Sequence, residues 1–173
     1  MHIIGKDITR FHAIYWPAML LSAGLPLPTT ILVHGFINVD GRKMSKTTGN
    51  VIDPVPLVEE WGVDALRYSL LRKVPTPSDA HFRHGEFVAT YNADLADQLG
   101  NLLQRVVKMV ERYCDSRIPT PGPLTALDQA LVDLAAATEL ALQNAFDEFA
   151  LNTAIEAVLG LIVATNKYVI EVA

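Results

Sequence analysis

The sequence predicts an α/β unit followed by a small helical connector and an antiparallel helix bundle. Three observations predict it. Strand, helix and strand patterns alternate over the first zone, residues 1–52. A proline-bounded pair of short helical segments fills residues 53–83. From residue 84 to 173, apolar side chains recur at steps of three and four, the period of a half-buried helix.

Residues 1–6 read as a short strand ending at Gly5, and residues 8–23 as a helix closed by Gly24. Pro17 removes a backbone donor inside that helix and predicts a kink. Pro26 and Pro28 mark a loop. Residues 30–37 are β-branched and almost continuously apolar, the pattern of a strand buried on both faces of a parallel sheet. Together these make a βαβ unit, whose ligands belong beyond the carboxyl ends of its strands.

In the connector, Pro54 or Pro56 opens a first helix and Gly62 breaks it. Asp64 is an N-cap candidate for a second helix over 65–72, and Pro75 and Pro77 end the segment. Beyond it the spacing of Phe87, Tyr91, Leu95, Leu99, Leu102, Val106, Met109 and Tyr113 predicts one long helix. Pro119, Pro121 and Pro123 form a stiff linker, and residues 127–144 and 151–172 predict two further helices.

Composition narrows the function classes. Half of the 173 residues are apolar, which excludes a disordered tail. No run reaches the roughly 18 uninterrupted apolar residues of a membrane span, so no membrane partner is expected. A single cysteine, Cys114, excludes a disulfide framework and a cysteine zinc cluster within the chain. No secretory leader is visible at the start, and the expected setting is cytoplasmic. The net charge of −5 divides into +2 over residues 1–83 and −7 over residues 84–173. Arg42, Lys43 and Lys46 fall inside five positions, so contact with a polyanion is expected to be local.

That cluster lies in Gly41-Arg42-Lys43-Met44-Ser45-Lys46-Thr47-Thr48-Gly49-Asn50. Glycines bracket two lysines three apart, with Ser45, Thr47 and Thr48 as hydroxyl donors. Lysine is a compact charge on a flexible stem, suited to a phosphate whose charge shifts during reaction. Cations placed where pyrophosphate departs stabilise the transition state more than the ground state. Taken alone, the stretch also reads as a solvated basic turn. It is not a Walker loop, since no G-x-x-x-x-G-K-[ST] occurs.

Lys43-Met44-Ser45-Lys46-Thr47 resembles the KMSKS signature of class I aminoacyl-tRNA synthetases, with threonine in the last place. Four further stretches narrow the likeness: Gly5-Lys6-Asp7-Ile8 with Phe11-His12, Trp16-Pro17-Ala18-Met19-Leu20, Val33-His34-Gly35-Phe36, and Asp64-Ala65-Leu66-Arg67-Tyr68. In this order they resemble methionyl-tRNA synthetases along the whole chain.

The resemblance implies the second half of a Rossmann-type parallel sheet, a stem-contact connector and an anticodon-binding bundle. It implies ATP-dependent activation of L-methionine to methionyl-adenylate and its transfer to methionine tRNA, with Mg2+ accompanying ATP. Lys43 and Lys46 become the catalytic lysines, and Lys46 an ATP contact. Gly5, Asp7, His34 and Ile37 match positions on the adenosine side; the residues alone also allow Asp7 as a helix N-cap and His34 as a buried sheet residue. Ile8, His12 and Trp16, four apart on one helix face, match the methionine side, although His12 and Trp16, each taken alone, read as core residues.

Asn101 and Arg105 match the anticodon-reading pair, an amide and a guanidinium suited to splayed bases. By spacing alone they belong to a solvated polar stripe of Asp94, Asp97, Asn101, Arg105, Lys108 and Arg112. The family's His-Ile-Gly-His signature and zinc knuckle are absent from the sequence, as is the Pro-Trp that carries a third anticodon contact. The expectation is a chain cut at both ends, with a missing amino-terminal half. The alternatives are a catalytically inactive tRNA-binding module and one half of a split synthetase.

Overall fold

A computed structural model describes residues 1–39, 41–47 and 49–172. β1 (His2–Gly5) and β2 (Ile31–His34) pair in parallel, from His2 opposite Ile31 to Gly5 opposite His34. The strand–helix–strand reading of the first zone therefore holds. Between the strands the backbone winds through a 3-10 turn at Lys6–Ile8 and a wide π stretch at Phe11–Tyr15 into α1 (Trp16–Ser22). The winding changes directly before Pro17, where the π stretch gives way to α1. Pro17 lies in the first turn of α1, where a missing N–H costs least, and the change of winding before it takes up the misfit.

The single strand expected over 30–37 is two strands in two sheets. After His34 the chain crosses at Gly35 and Phe36 into β3 (Ile37–Val39). β3 lies between β4 (Arg42–Lys43), antiparallel to it, and β5 (Ala80–Phe82), parallel to it. Sterics locate the crossing: a Cβ at position 35 would lie 2.1 Å from the Ser78 carbonyl oxygen and 2.7 Å from the Asp79 nitrogen. Only glycine fits there without moving backbone. Hydrogen bonds from the Gly35 N–H to the Thr76 carbonyl (3.1 Å) and from the Ala80 N–H to the Phe36 carbonyl (2.9 Å) close the contact.

β2 is also less covered than its composition predicts. Ile31, Leu32 and Val33 are half-buried, because β1 is the sole strand paired with it among the described residues. In the connector, the Asp53 carboxylate accepts from the Val55 N–H and caps α2 (Pro54–Trp61), and Gly62, at φ 85°, separates it from α3 (Val63–Lys73). Asp64 is not the cap of α3; it lies in the first turn, where a carboxylate still complements the helix dipole.

The chain divides into two compact units. One comprises Met1–Leu66 and Lys73–Arg83, with Ile4, Leu20, Leu66, Ala80 and Phe82 buried. The other comprises Arg67–Arg72 and the residues from His84 onward. In this second unit α4 (His84–Tyr91), a π stretch (Asn92–Gly100) and α5 (Asn101–Tyr113) form one helical run, followed by α6 (Ala126–Asp147) and α7 (Leu151–Val172). Thr125 and Asp128 form a capping box at the start of α6, and the Tyr168 hydroxyl on α7 donates to Asp128. α7 has the length and apolar composition to cross a membrane. It is nonetheless packed against α6, burying Ala154, Leu159 and Val169 and carrying Glu156, Lys167 and Glu171.

The solvated stripe expected on the long helix fails at its first member. Asp94 is buried, accepting hydrogen bonds from the Tyr68 hydroxyl (2.9 Å) and from Arg72 Nε (3.1 Å), while Arg72 Nη1 donates to Glu156 (2.9 Å). Tyr68 and Arg72 are four apart on α3 and so reach one carboxylate. Burial, and then the bond to Asp94, push the Tyr68 hydroxyl pKa above its ordinary value of 10.0. A raised folded-state pKa contributes stability that is complete below pH 10 and is lost as pH rises beyond it. We predict that the alkaline fall in thermal stability, followed by circular dichroism between pH 9 and pH 12 (about one unit below to two above the phenol's ordinary value), is shallower in Tyr68→Phe. An unchanged alkaline limb would show that Tyr68 does not set it.

Candidate active site

The carboxyl ends of β1 and β2 bring sequence-predicted residues together. Gly5 stands opposite His34, and a Cβ on Gly5 would lie 3.1 Å from Asp7 Oδ1 and 3.8 Å from the His34 ring. Small size at position 5 thus lets the carboxylate and imidazole close in beside the strand end. Asp7 lies in the 3-10 turn and is exposed. Its Oδ2 accepts a 3.1 Å hydrogen bond from Lys43 Nζ, which β4 delivers across 36 residues of sequence. That bond, ahead of all other influences, holds the Asp7 carboxyl below its ordinary range. His34 Nδ1 lies 2.9 Å from the Gly35 carbonyl oxygen, which fixes the ring next to the crossing. Ile37 is half-buried in β3 and contributes its backbone to the pairing with Ala80.

Lys43 also sits over the Phe36 ring, 3.8 Å from its centroid, and Lys6 Nζ lies 4.6 Å from the same ring. Such cation–π contacts contribute about 0.5–1 kcal/mol at exposed sites. Lys6 is paired with both oxygens of Asp79, at 2.6 and 2.7 Å, and Asp79 Oδ1 accepts from the Phe36 N–H at 2.8 Å. Lys6 first, then the Phe36 N–H, lower the Asp79 pKa. Four residues the sequence left unassigned therefore build the site: Lys6, Phe36, Asp79 and Asn50.

Asn50 staples the lysine loop. Its Oδ1 accepts from the Ser45 N–H (2.9 Å) and its Nδ2 donates to the Lys43 carbonyl (3.3 Å). The Thr47 N–H donates to Ser45 Oγ (3.2 Å), and Gly49, at φ 70°, turns back to the Lys46 carbonyl (3.3 Å). Met44 and Ser45 are half-buried, whereas Lys46 and Thr47 are exposed. Lys46 has no carboxylate partner among the described residues, so its ammonium is available to an incoming anion. Thr48, the third hydroxyl donor read from the sequence, lies outside the described residues.

A groove of about 440 Å³ opens beside α1, lined by His2, Phe11, His12, Tyr15, Trp16 and Met19. His12 and Trp16 thus share one surface, and His2 joins them with ring centroids 6.3 and 6.5 Å away. Ile8 does not line this groove; its carbonyl oxygen lies 3.0 Å from His12 Nδ1 and orients that ring. His2, Phe11, Tyr15 and Met19 went unassigned from the sequence, although the period-two pattern of β1 puts His2 on the face of buried Ile4. In the other unit, Asn101 and Arg105 occupy the start of α5, both exposed and one turn apart, beside buried Leu102. Among the described residues no three His, Cys, Asp or Glu side chains converge as a metal site.

Comparison with known proteins gives consistent matches. The family model described as tRNA synthetases class I (M) matches residues 1–107. The methionine–tRNA ligase of Brucella suis is 48% identical over 167 residues, covering 96% of this chain and 32% of the relative. That of Nostoc is 46% identical over 177 residues, covering 98% and 32%. The Mycobacterium tuberculosis methionyl-tRNA synthetase in complex with methionyl-adenylate superposes with a TM-score of 0.90 at 47% identity, over 96% of this chain and 33% of that one. Its apo form gives 0.85 at 43% identity. The chain spans about a third of the length of the relatives it matches.

The bond between Lys43 and Asp7 makes a titration prediction. A lowered folded-state pKa means the pairing is complete above the ordinary carboxylate value of 3.8 and is lost as pH falls through the lower folded value. Carbon NMR of the side-chain carboxyls should place the Asp7 inflection below 3.8. Lys43→Met should return it to the ordinary range while leaving Asp79, held by Lys6, where it was. An Asp7 inflection indifferent to Lys43→Met would refute the pairing.

Proposed function

Since the chain belongs to the class I tRNA synthetases of the methionine type, we propose that it is the lysine-loop and anticodon-binding part of a methionine–tRNA ligase. On this reading residues 1–52 supply the second half of a Rossmann-type nucleotide fold, residues 53–83 the stem-contact connector and residues 84–173 the anticodon-binding bundle. The complete enzyme activates L-methionine with ATP and transfers it to methionine tRNA in the cytoplasm. The observation that carries the reading is the convergence of Gly5, Asp7, His34 and Lys43 at the ends of two parallel strands, with exposed Lys46 on the stapled loop that also carries Lys43.

The chemistry follows from these side chains. The carboxylate of Asp7 is apt for ribose hydroxyls, which donate to it more strongly than to a neutral acceptor. His34 and the Ile37 backbone border the adenine side. When the methionine carboxylate attacks the α-phosphate, negative charge accumulates on the departing pyrophosphate. On this reading Lys46 and Lys43 neutralise that charge as it develops, which lowers the barrier rather than merely tightening binding. Mg2+ accompanies ATP as its counter-ion. In the groove, aromatic and thioether surfaces of Trp16 and Met19 suit a methionine side chain, which offers dispersion and one weak acceptor. Asn101 and Arg105 present donors to unstacked anticodon bases.

Methionine-dependent ATP–pyrophosphate exchange tests the catalytic half. The purified 173-residue chain is expected to show none, and exchange should appear when it is joined to a segment carrying His-Ile-Gly-His. In that joined enzyme Lys46→Ala should slow exchange about 100-fold, the effect of losing one preorganised donor. Exchange by the chain alone, or a joined enzyme indifferent to Lys46→Ala, would overturn the assignment. For the bundle, Arg105→Ala should weaken binding of methionine tRNA without altering exchange; filter binding at fixed salt would reveal a loss of about ten-fold or more. Equal affinity of wild type and variant would remove Arg105 from the interface.

A further inference from the structure

We propose that Phe36 is a positioning residue of the lysine loop: its ring keeps the Lys43 ammonium at the end of β1 while the anionic partner of that ammonium changes. The proposal rests on reading the loop as a nucleotide-phosphate site, and deepens it.

The ring is held from behind. Phe36 uses both backbone groups, its N–H donating to Asp79 Oδ1 and its carbonyl accepting from the Ala80 N–H. The preceding Gly35 is seated against the Ser78–Asp79 backbone, too close for any side chain. Asp79 binds Lys6 with both oxygens, and Lys6 in turn lies over the ring. Backbone, carboxylate and a first cation thus fix the ring face on which Lys43 rests at 3.8 Å.

Lys43 has two partners of different kinds. Asp7 is charged, exposed and, on the nucleotide reading, needed by the ribose. An exposed ion pair of this type is weak and screened by salt, so a ribose or a polyphosphate can displace it. The Phe36 ring attracts the ammonium through its quadrupole, carries no net charge and has no group a phosphate would compete for. It need not be surrendered when Asp7 is. A flexible lysine stem tethered in this way enters the phosphate site with less rotamer freedom left to lose. Leucine at position 36 would fill the volume and keep the backbone bonds but offer no quadrupole. Tyrosine would keep it.

Proton–carbon NMR of the 173-residue chain joined to the segment carrying His-Ile-Gly-His tests this directly. The Lys43 CεH2 signal, identified by its loss in Lys43→Arg, should lie upfield of ordinary lysine because of the ring current. It should move to the ordinary position in Phe36→Leu and stay upfield in Phe36→Tyr. On saturation with ATP the wild-type signal should remain upfield while the Asp7 carboxyl signal shifts. ATP affinity should fall about two- to five-fold in Phe36→Leu and recover in Phe36→Tyr. A Lys43 signal at the ordinary position, one that leaves the ring when ATP binds, or equal or tighter ATP binding by Phe36→Leu would each overturn the proposal. If ATP perturbs neither Lys43 nor Lys46 in wild type, the nucleotide reading fails, and the tether falls with it. An upfield Lys43 signal would then mark the ring contact as a purely local one, so the two failures are distinguishable.

Discussion

Most of the first unit's geometry descends from a steric constraint at one residue. Gly35 passes so close to the Ser78 carbonyl that a single additional carbon would overlap it. Because the chain must pass there, β2 ends at His34, and the next residue is turned so that β3 pairs with β5 instead of extending β2. The same contact brings Asp79 under the Phe36 amide and so to Lys6. Strand ends, lysine loop and connector are thereby assembled at one place by backbone packing, before any side-chain charge is considered.

Charge is then arranged with little neutralisation lost. Lys6 and Lys43, the lysines of the first unit paired with carboxylates among the described residues, are both exposed and both lie over one aromatic ring. Exposed pairing orders a side chain at small cost and yields readily to a stronger anion. The bundle uses the opposite strategy. Asp94 is buried among Tyr68, Arg72 and, through Arg72, Glu156, where removing one partner strands a charge away from water. The first arrangement suits exchange of partners and the second suits permanence.

What the sequence revealed follows the range of the interactions. The βαβ alternation, the glycine-bracketed lysines and the long helices are written in neighbouring residues, and their elements lie close to where the pattern puts them. The split of residues 30–37 was hidden because β5 is three residues long and sits 43 positions from its partners. Asp79 and Phe36 derive their roles from that pairing and so carried no local signal. Asp94 looked solvated because the partners that bury it are 22 and 26 positions away on α3. Asn50 was in view, inside the loop itself, yet a turn-forming asparagine and a loop staple are spelled identically. The aromatic groove was half legible: the i, i+4 spacing joins His12 to Trp16, but only the strand register brings His2 to them.

The wide winding of Asn92–Gly100 sets an azimuth as well as a length. In an α-helix each residue advances about 100° around the axis, so replacing a π segment by ordinary α winding rotates everything after it. Asn101 and Arg105 begin immediately beyond that segment. The compass bearing of their side chains on the rod therefore depends on the residue count upstream. Loss or gain of one codon between Tyr91 and Gly100 would turn both away from their present heading while leaving their identities and spacing untouched. In a lineage of such chains, drift in that bearing would follow insertions and deletions rather than substitutions.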